Sequence, residues 1–235
     1  GLVVPLTTGE RGVCGLLAVG SRASGVPFSE DDFDYAQAVA RQAQAALEGA
    51  RLHRVALEKE RQDRELQIAQ EIQRSLFPRE RPRLEGFEIA AESRPCHQVG
   101  GDYYDFIPLE GGRMAVVVAD VSGKGTPASI VMASVHASLR ATAGTDSPGV
   151  LLGRLNRFVC ASTQDSKYVT LFYAEVDPVT RRLRYVNAGH IPPCLVRAGG
   201  EGERLRSGGP VIGLLEDAVY DEGEVILEPG DLLAV

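Results

Sequence analysis

Apolar and polar positions change period several times along this chain, and each change marks an element. Residues 2–6 and 13–19 are short apolar runs on either side of a turn at 8–12, the pattern of a β-hairpin. After a second turn at 21–26, Ser29 stands three residues before Asp32 and is flanked by Phe28 and Phe33, a helix N-terminal signature. Ala36, Val39, Ala40, Ala43, Ala46 and Leu47 follow at helical spacing. Gly49 is a weak breaker, and apolar positions resume at Leu52, Val55 and Leu57. Residues 58–65 hold no apolar side chain but place Glu60 four residues before Arg64, a helical ion pair. Leu66, Ile68, Ala69, Ile72 and Leu76 then return, and Pro78 and Pro82 end the run. The pattern predicts one helix through 34–76, either a solvated spacer or half of a parallel coiled coil. In the second case Leu47, Leu52 and Val55 pack against a second protomer, and Ile68, Ile72 and Leu76 against the domain that follows.

Beyond Pro82 the pattern is mixed. A strand is predicted at 87–93, then a hairpin of 103–108 with 113–119 across Glu110-Gly111-Gly112. Helices follow at 127–143 and, from Ser147-Pro148 as N-cap and first helical position, to about 161. A second hairpin pairs 168–176 with 182–186 across Asp177-Pro178-Val179-Thr180. A third pairs 225–227 with 232–235 across Glu228-Pro229-Gly230-Asp231. The chain stops inside that last apolar strand, so a fragment of a longer protein is expected.

The first of these hairpins carries the chemistry. Centred on Gly111, its register puts Asp102 opposite Asp120 on one sheet face, with Cβ atoms roughly 5 Å apart. Like charges facing across a ladder are destabilising unless a cation lies between them, and carboxylate oxygens suit a hard divalent ion. Asp105 pairs with Val117 on the opposite face and reads as a structural or surface carboxylate.

Composition narrows the alternatives. With 44% hydrophobic and 24% charged residues the chain is neither disordered nor fibrous. Its net charge of -7, with no basic stretch to offset it, argues against nucleic acid as a partner. The apolar runs fall well short of the ~20 residues that span a membrane. Gly1 opens directly into strand-like sequence, so no signal peptide is expected. Cys14, Cys96, Cys160 and Cys194 are widely separated, which leaves zinc and redox motifs unsupported. Reduced thiols in a cytoplasmic protein are the expectation, with two disulfides the alternative. Residues 121–125, Val-Ser-Gly-Lys-Gly, are not a phosphate-binding P-loop, because Val118 stands where the first glycine belongs and Gly125 where Ser or Thr belongs. His190 is open to two readings, a hydrogen-bonded structural histidine or a ligand. Arg94 is a phosphate contact or a solvated arginine, and Lys124 an anion contact or a solvated loop lysine.

Three segments together resemble the SpoIIE-type branch of metal-dependent PPM phosphatases. They are Val99-Gly100-Gly101-Asp102-Tyr103-Tyr104-Asp105, Val118-Ala119-Asp120-Val121-Ser122-Gly123-Lys124-Gly125 and Asn187-Ala188-Gly189-His190. The stretch from Ala69 to Pro78 resembles the linker that leads into that domain. The resemblance covers roughly 66–235, and residues 1–52 resemble the last strands and final helix of a GAF sensor domain. The implied fold is α+β, a PPM-type α-β-β-α sandwich truncated at its C-terminus and preceded by a partial GAF-like segment and a helical linker. The implied domains are 1–52, a linker at 53–82, and a phosphatase domain at 83–235.

In function, the resemblance implies a Mn²⁺- or Mg²⁺-dependent phosphoprotein Ser/Thr phosphatase with two ions in the intact domain. Asp102, Asp120 and the backbone carbonyl of Val121 match the family's metal ligands, and no catalytic residue beyond them is assigned. The implied substrate is a phosphorylated anti-sigma-factor antagonist in bacterial partner switching, with control by the N-terminal sensor and a homodimer formed through the linker helix. The family's Thr/Ser-Asp-Gly motif and a later aspartate, expected after the strand at 231–235, have no counterpart in this chain. The competing expectation is a non-catalytic dimeric scaffold that binds a signalling partner.

Overall fold

The computed structural model describes residues 1–8, 12–94, 98–163 and 167–235, and the chain divides into two units, residues 1–65 and 66–235. In the first unit β1 (Leu2–Thr8) pairs antiparallel with β2 (Gly12–Val19), with a register shift between Leu6 and Thr7. The hairpin is thus where the alternation puts it, while residues 9–11 of its predicted turn lie outside the described residues. Val4, Ala36 and Ala40 form a small core with Leu2, Leu6 and Leu17 beside it.

The helix α1 (Glu30–Leu76) runs for 47 residues, and Gly49 does not interrupt it. Its start is fixed by reciprocal capping: Asp32 N–H donates to Ser29 Oγ (3.3 Å), and Ser29 N–H donates to Asp32 Oδ2 (2.7 Å). Arg22 adds an ion pair to Asp32. The charged middle is helical through pairs one turn apart, Arg64 with Glu60 at 3.1 Å and Arg61 with Glu65 at 3.0 Å. Those pairs are exposed and each contributes roughly 0.3–0.5 kcal/mol at most.

Within the second unit, the end of α1 packs on the core through Leu76, together with Phe77 just beyond it and a buried Gln73. Ile68 and Ile72 are instead 53% and 61% exposed, a correction to the expected packing. The reason is helical phase: positions 66, 69, 70, 73 and 76 form the inward stripe, and 68 and 72 fall outside it.

The main sheet has the order β10-β6-β5-β4-β3. It comprises β3 (Tyr103–Pro108), β4 (Met114–Val121), β5 (Val169–Asp177), β6 (Arg182–Ala188) and β10 (Gly223–Ile226), with β9 (Gly208–Gly209) parallel to β6. Helices α2 (Thr126–Thr142) and α3 (Pro148–Ser162) cover one face, where Met132, Leu139, Leu152 and Leu155 meet Val117, Leu171 and Tyr173. The other face, through Phe172, Ala174 and Leu183, packs with Leu195 and Leu233 of a second sheet. That sheet is β11-β7-β8: β7 (Cys194–Val196), β8 (Gly202–Arg204) and β11 (Leu232–Ala234). Strand β5 lies in the middle and is buried on both faces, which explains its apolar stretch from Leu171 to Ala174.

Three local expectations need correction. Residues 87–93 do not form a strand, and an isolated bridge from Leu84 to Phe87 stands there instead. The predicted third hairpin has its turn, with Asp231 N–H on Glu228 O at 3.1 Å. Its arms go to different sheets, however: β10 pairs with β6, and β11 with β7. Ser147 does sit at the N-cap of α3, but its side chain makes no capping bond, and Pro148 marks the start. Cys14, Cys160 and Cys194 are free thiols, and Cys96 lies outside the described residues.

Candidate metal and phosphate site

The register read from the glycine turn is the one observed. Strands β3 and β4 pair from Pro108 with Met114 through Tyr103 with Ala119. One step beyond the carboxylates, Val121 N–H donates to Gly101 O at 3.3 Å. Asp102 and Asp120 are therefore held opposite each other between two fixed pairs, and both are exposed. Partial loss of water, and after it the Asp102 carboxylate beside it, push the Asp120 carboxyl above the usual carboxylate range.

Gly101 is buried tight under β4: a Cβ placed on it would meet Val121 O at 2.6 Å and Val121 Cβ at 3.0 Å. Its neighbour Gly100 is gripped by a side-chain amide. Gln73 Nε2 donates to Gly100 O at 2.6 Å, and Gly100 N–H donates to Gln73 Oε1 at 3.1 Å. A glutamine amide offers one donor and one acceptor side by side, so it completes both backbone groups of one residue. Phe77, just past the helix, stacks on Tyr103 and Tyr104 with ring centroids 6.4 and 5.3 Å away.

On the reverse face Asp105 is fully buried and structural. Its carboxylate accepts from Arg140 Nε and Nη2 (2.7 and 2.6 Å), Tyr103 Oη (2.8 Å) and its neighbour's Phe106 N–H (2.8 Å). His136 Nε2 lies 3.8 Å from it. Burial pushes the His136 imidazole below its ordinary value, the Asp105 charge opposing this in part. Burial also raises the Tyr103 phenol, Asp105 adding to the effect.

One residue not singled out from the sequence completes the surroundings of Asp120. Thr170 of β5 is its register partner, and Thr170 Oγ1 is 2.9 Å from His190 Nδ1. The Asn187-Ala188-Gly189-His190 segment is built to deliver that imidazole. Asn187 Oδ1 accepts from His190 N–H at 2.7 Å, and Gly189 has φ +66° with Val211 where a side chain would go. His190 is thus hydrogen-bonded, one residue removed from Asp120, and burial lowers its pKa. Arg94 pairs with Glu92 at 2.8 Å, and Lys124 is exposed in the loop between β4 and α2.

The donor set fits a hard divalent cation in kind: two carboxylates and a nearby backbone carbonyl, all oxygen. The close approach of Gly101 leaves no side chain over Val121 O. Among the described residues no cluster of three or more His, Cys, Asp or Glu side chains is placed to hold a metal. The pair therefore suits one ion and does not by itself form a two-ion cage. Asp102 also borders a groove of about 1830 Å³ that runs past Tyr104, Phe106 and Val118 toward the segments 81–94 and 227–235.

Comparison with known proteins gives a consistent family. The sequence model described as Stage II sporulation protein E (SpoIIE) matches residues 110–235, more than half of the chain. The phosphoserine phosphatase RsbU of Bacillus subtilis (strain 168) is 31% identical over 173 residues, covering 73% of this chain and 51% of RsbU. Among solved structures, the SiaA-PP2C domain of Pseudomonas aeruginosa superposes with TM-score 0.63 at 23% identity, covering 75% of this chain and 71% of that one. The RsbU and RsbW domains of Rv1364c from Mycobacterium tuberculosis give TM-score 0.52 at 26% identity, covering 60% of this chain and 39% of that one. The chain spans 31–51% of the length of the curated relatives it matches.

Proposed function

The chain belongs to the SpoIIE family, whose relatives include phosphoserine phosphatases, and from that premise we propose that it is the catalytic part of a metal-dependent phosphoprotein Ser/Thr phosphatase. The observation that carries this reading is the opposed pair Asp102 and Asp120, presented at the exposed end of a rigid hairpin. Asp102, Asp120 and the Val121 carbonyl would hold Mn²⁺ or Mg²⁺, and a bound ion supplies an activated water and charge stabilisation for displacement at phosphorus. The chain's own contribution is placement. The β3–β4 ladder fixes the carboxylate spacing, Gly101 leaves no side chain against the Val121 carbonyl, and Gln73 holds the loop that precedes Asp102. Preorganisation of this kind spares the site from reorganising as charge develops.

The substrate class that best fits the family is a phosphorylated anti-sigma-factor antagonist. Residues 1–52 serve in this reading as the end of a GAF-like sensor, 53–82, which includes the end of α1, as the linker, and 83–235 as the phosphatase domain. A homodimer through the linker is supported by Leu47, Leu52 and Val55, which are 59%, 54% and 51% exposed on α1. Light scattering on the wild type and a Leu52→Asp variant tests it, with a wild-type monomer counting against the dimer.

Activity is tested with phosphoserine and phosphothreonine peptides. Release of phosphate should require Mn²⁺ or Mg²⁺, and Asp102→Asn and Asp120→Asn should each remove most of it. Undiminished turnover in excess EDTA would sink the reading. The two-carboxylate donor set favours a second reading, a non-catalytic scaffold of the same fold. Capture of a phosphoprotein partner without any phosphate release would select it.

A further inference from the structure

Lys167 reaches across the loop that follows the carboxylate pair. A Cβ placed on Gly123 would lie 2.7 Å from Lys167 Nζ, so the ammonium occupies the space a side chain at 123 would need. Gly123 has φ +97°, a conformation that L side chains rarely adopt. The loop therefore presents bare backbone to the lysine.

The backbone around Lys167 is fixed against the same loop. Ser122 N–H donates to Tyr168 O at 2.8 Å, and Tyr168 N–H donates to Ser122 Oγ at 3.0 Å. Val169 and Ile212 exchange both their backbone bonds, at 2.8 and 2.9 Å. Ser122 is two residues after Asp120, so the segment that carries the ammonium is tied to the segment that carries the carboxylate. Among the described residues, neither Lys167 nor Lys124 has a hydrogen-bond or carboxylate partner. A half-buried, positioned ammonium with no carboxylate partner among the described residues is set up to bind an anion.

Resting on the phosphatase reading, we infer that Lys167, lying over Gly123, is the phosphoryl-binding side chain of the site, for phosphoserine or phosphothreonine esters and for the inorganic phosphate released from them. Asp102 and Asp120 repel a phosphate dianion, and an ammonium held over Gly123, three residues after Asp120, would offset that repulsion. Its three N–H donors match the non-bridging oxygens of a tetrahedral oxyanion. Lys124, exposed on the same loop, adds attraction without a fixed position.

The test is calorimetric titration of the full chain with inorganic phosphate in the presence of Mn²⁺, for the wild type, Lys167→Met and Lys167→Arg. Phosphate affinity should fall by at least about tenfold in Lys167→Met, as expected for loss of a charge-assisted contact, and recover in large part in Lys167→Arg. With p-nitrophenyl phosphate as substrate, the same loss should appear mainly in KM. A lysine that only packs its stem on the loop would change the melting temperature and leave phosphate affinity alone. Should Lys167→Met fold poorly, Lys167→Gln takes its place in the titration. Unchanged phosphate affinity in the neutral variant overturns the inference even if the wild type hydrolyses phosphopeptides. Phosphate binding that is lost in Lys167→Met, by a wild type that hydrolyses nothing, would refute the phosphatase activity and leave the anion seat standing.

Discussion

At the scale of single residues, Asp105 and Asp102 show how three positions in one strand separate two fates. Alternation along β3 puts them on opposite faces, and that much is readable from the sequence. What covers Asp105 is not, because Arg140 arrives from α2, 35 residues away. The fully buried carboxylate and its bidentate guanidinium form a pair whose members depend on each other. Asp105→Ala should cost about 2–3 kcal/mol by denaturant unfolding, less than for a fully buried pair because Arg140 is partly solvated. A change below 1 kcal/mol would mean that Arg140 finds water readily. Tyr220 makes the opposite prediction. Its buried hydroxyl has no hydrogen-bond partner among the described residues, so Tyr220→Phe should be neutral or stabilising by up to about 1–2 kcal/mol. A clear loss of stability would reveal a bound water there.

At the scale of elements, legibility follows the range of the contacts that decide each one. The β3–β4 hairpin was readable because its turn, alternation and glycines lie within twenty-odd residues and agree. The turn at Glu228 was equally readable, since Asp231 accepts from Glu228 N–H at 2.9 Å. Its strands were not, because β6 and β7 choose them and both are distant in sequence. Helix α1 was legible in extent but not in facing, where one residue of phase, about 100°, decides between Ile72 and Gln73. Two glycines test these elements with opposite signs. Gly49 sits in the interior of α1 with open space where a Cβ would go, so Gly49→Ala should stabilise by about 0.5–1 kcal/mol in thermal melts followed by circular dichroism. Gly189→Ala meets both a left-handed φ and Val211, and should destabilise and displace His190.

At the scale of the whole molecule, two titrations act in opposite directions. His136 has a lowered pKa in the folded state, so its contribution is complete above the unfolded value of about 6.5 and is lost as pH falls through the folded one. Melting temperature should therefore drop between pH 7 and pH 5, and less so in His136→Gln. Asp120 has a raised pKa, so its repulsion with Asp102 weakens the fold at neutral pH and is relieved as the carboxyl takes up a proton. A cation relieves the same repulsion without a proton. Added Mn²⁺ should raise the melting temperature of the wild type at pH 7, and do so much less in Asp120→Asn. Equal shifts in both proteins would place the ion elsewhere.

Gln73 belongs to a long helix, yet its amide is spent on Gly100, two residues before Asp102. Side chains advance about 100° around a helix for each residue. A turn of α1 by a single step therefore carries the amide off Gly100 altogether, with no half-way geometry that keeps both bonds. Engaged, the amide holds the loop that precedes Asp102; disengaged, it would leave that loop without those two bonds. The Gly100 amide hydrogen reports the state directly: protected from exchange with solvent while Gln73 is engaged, and exposed in Gln73→Ala.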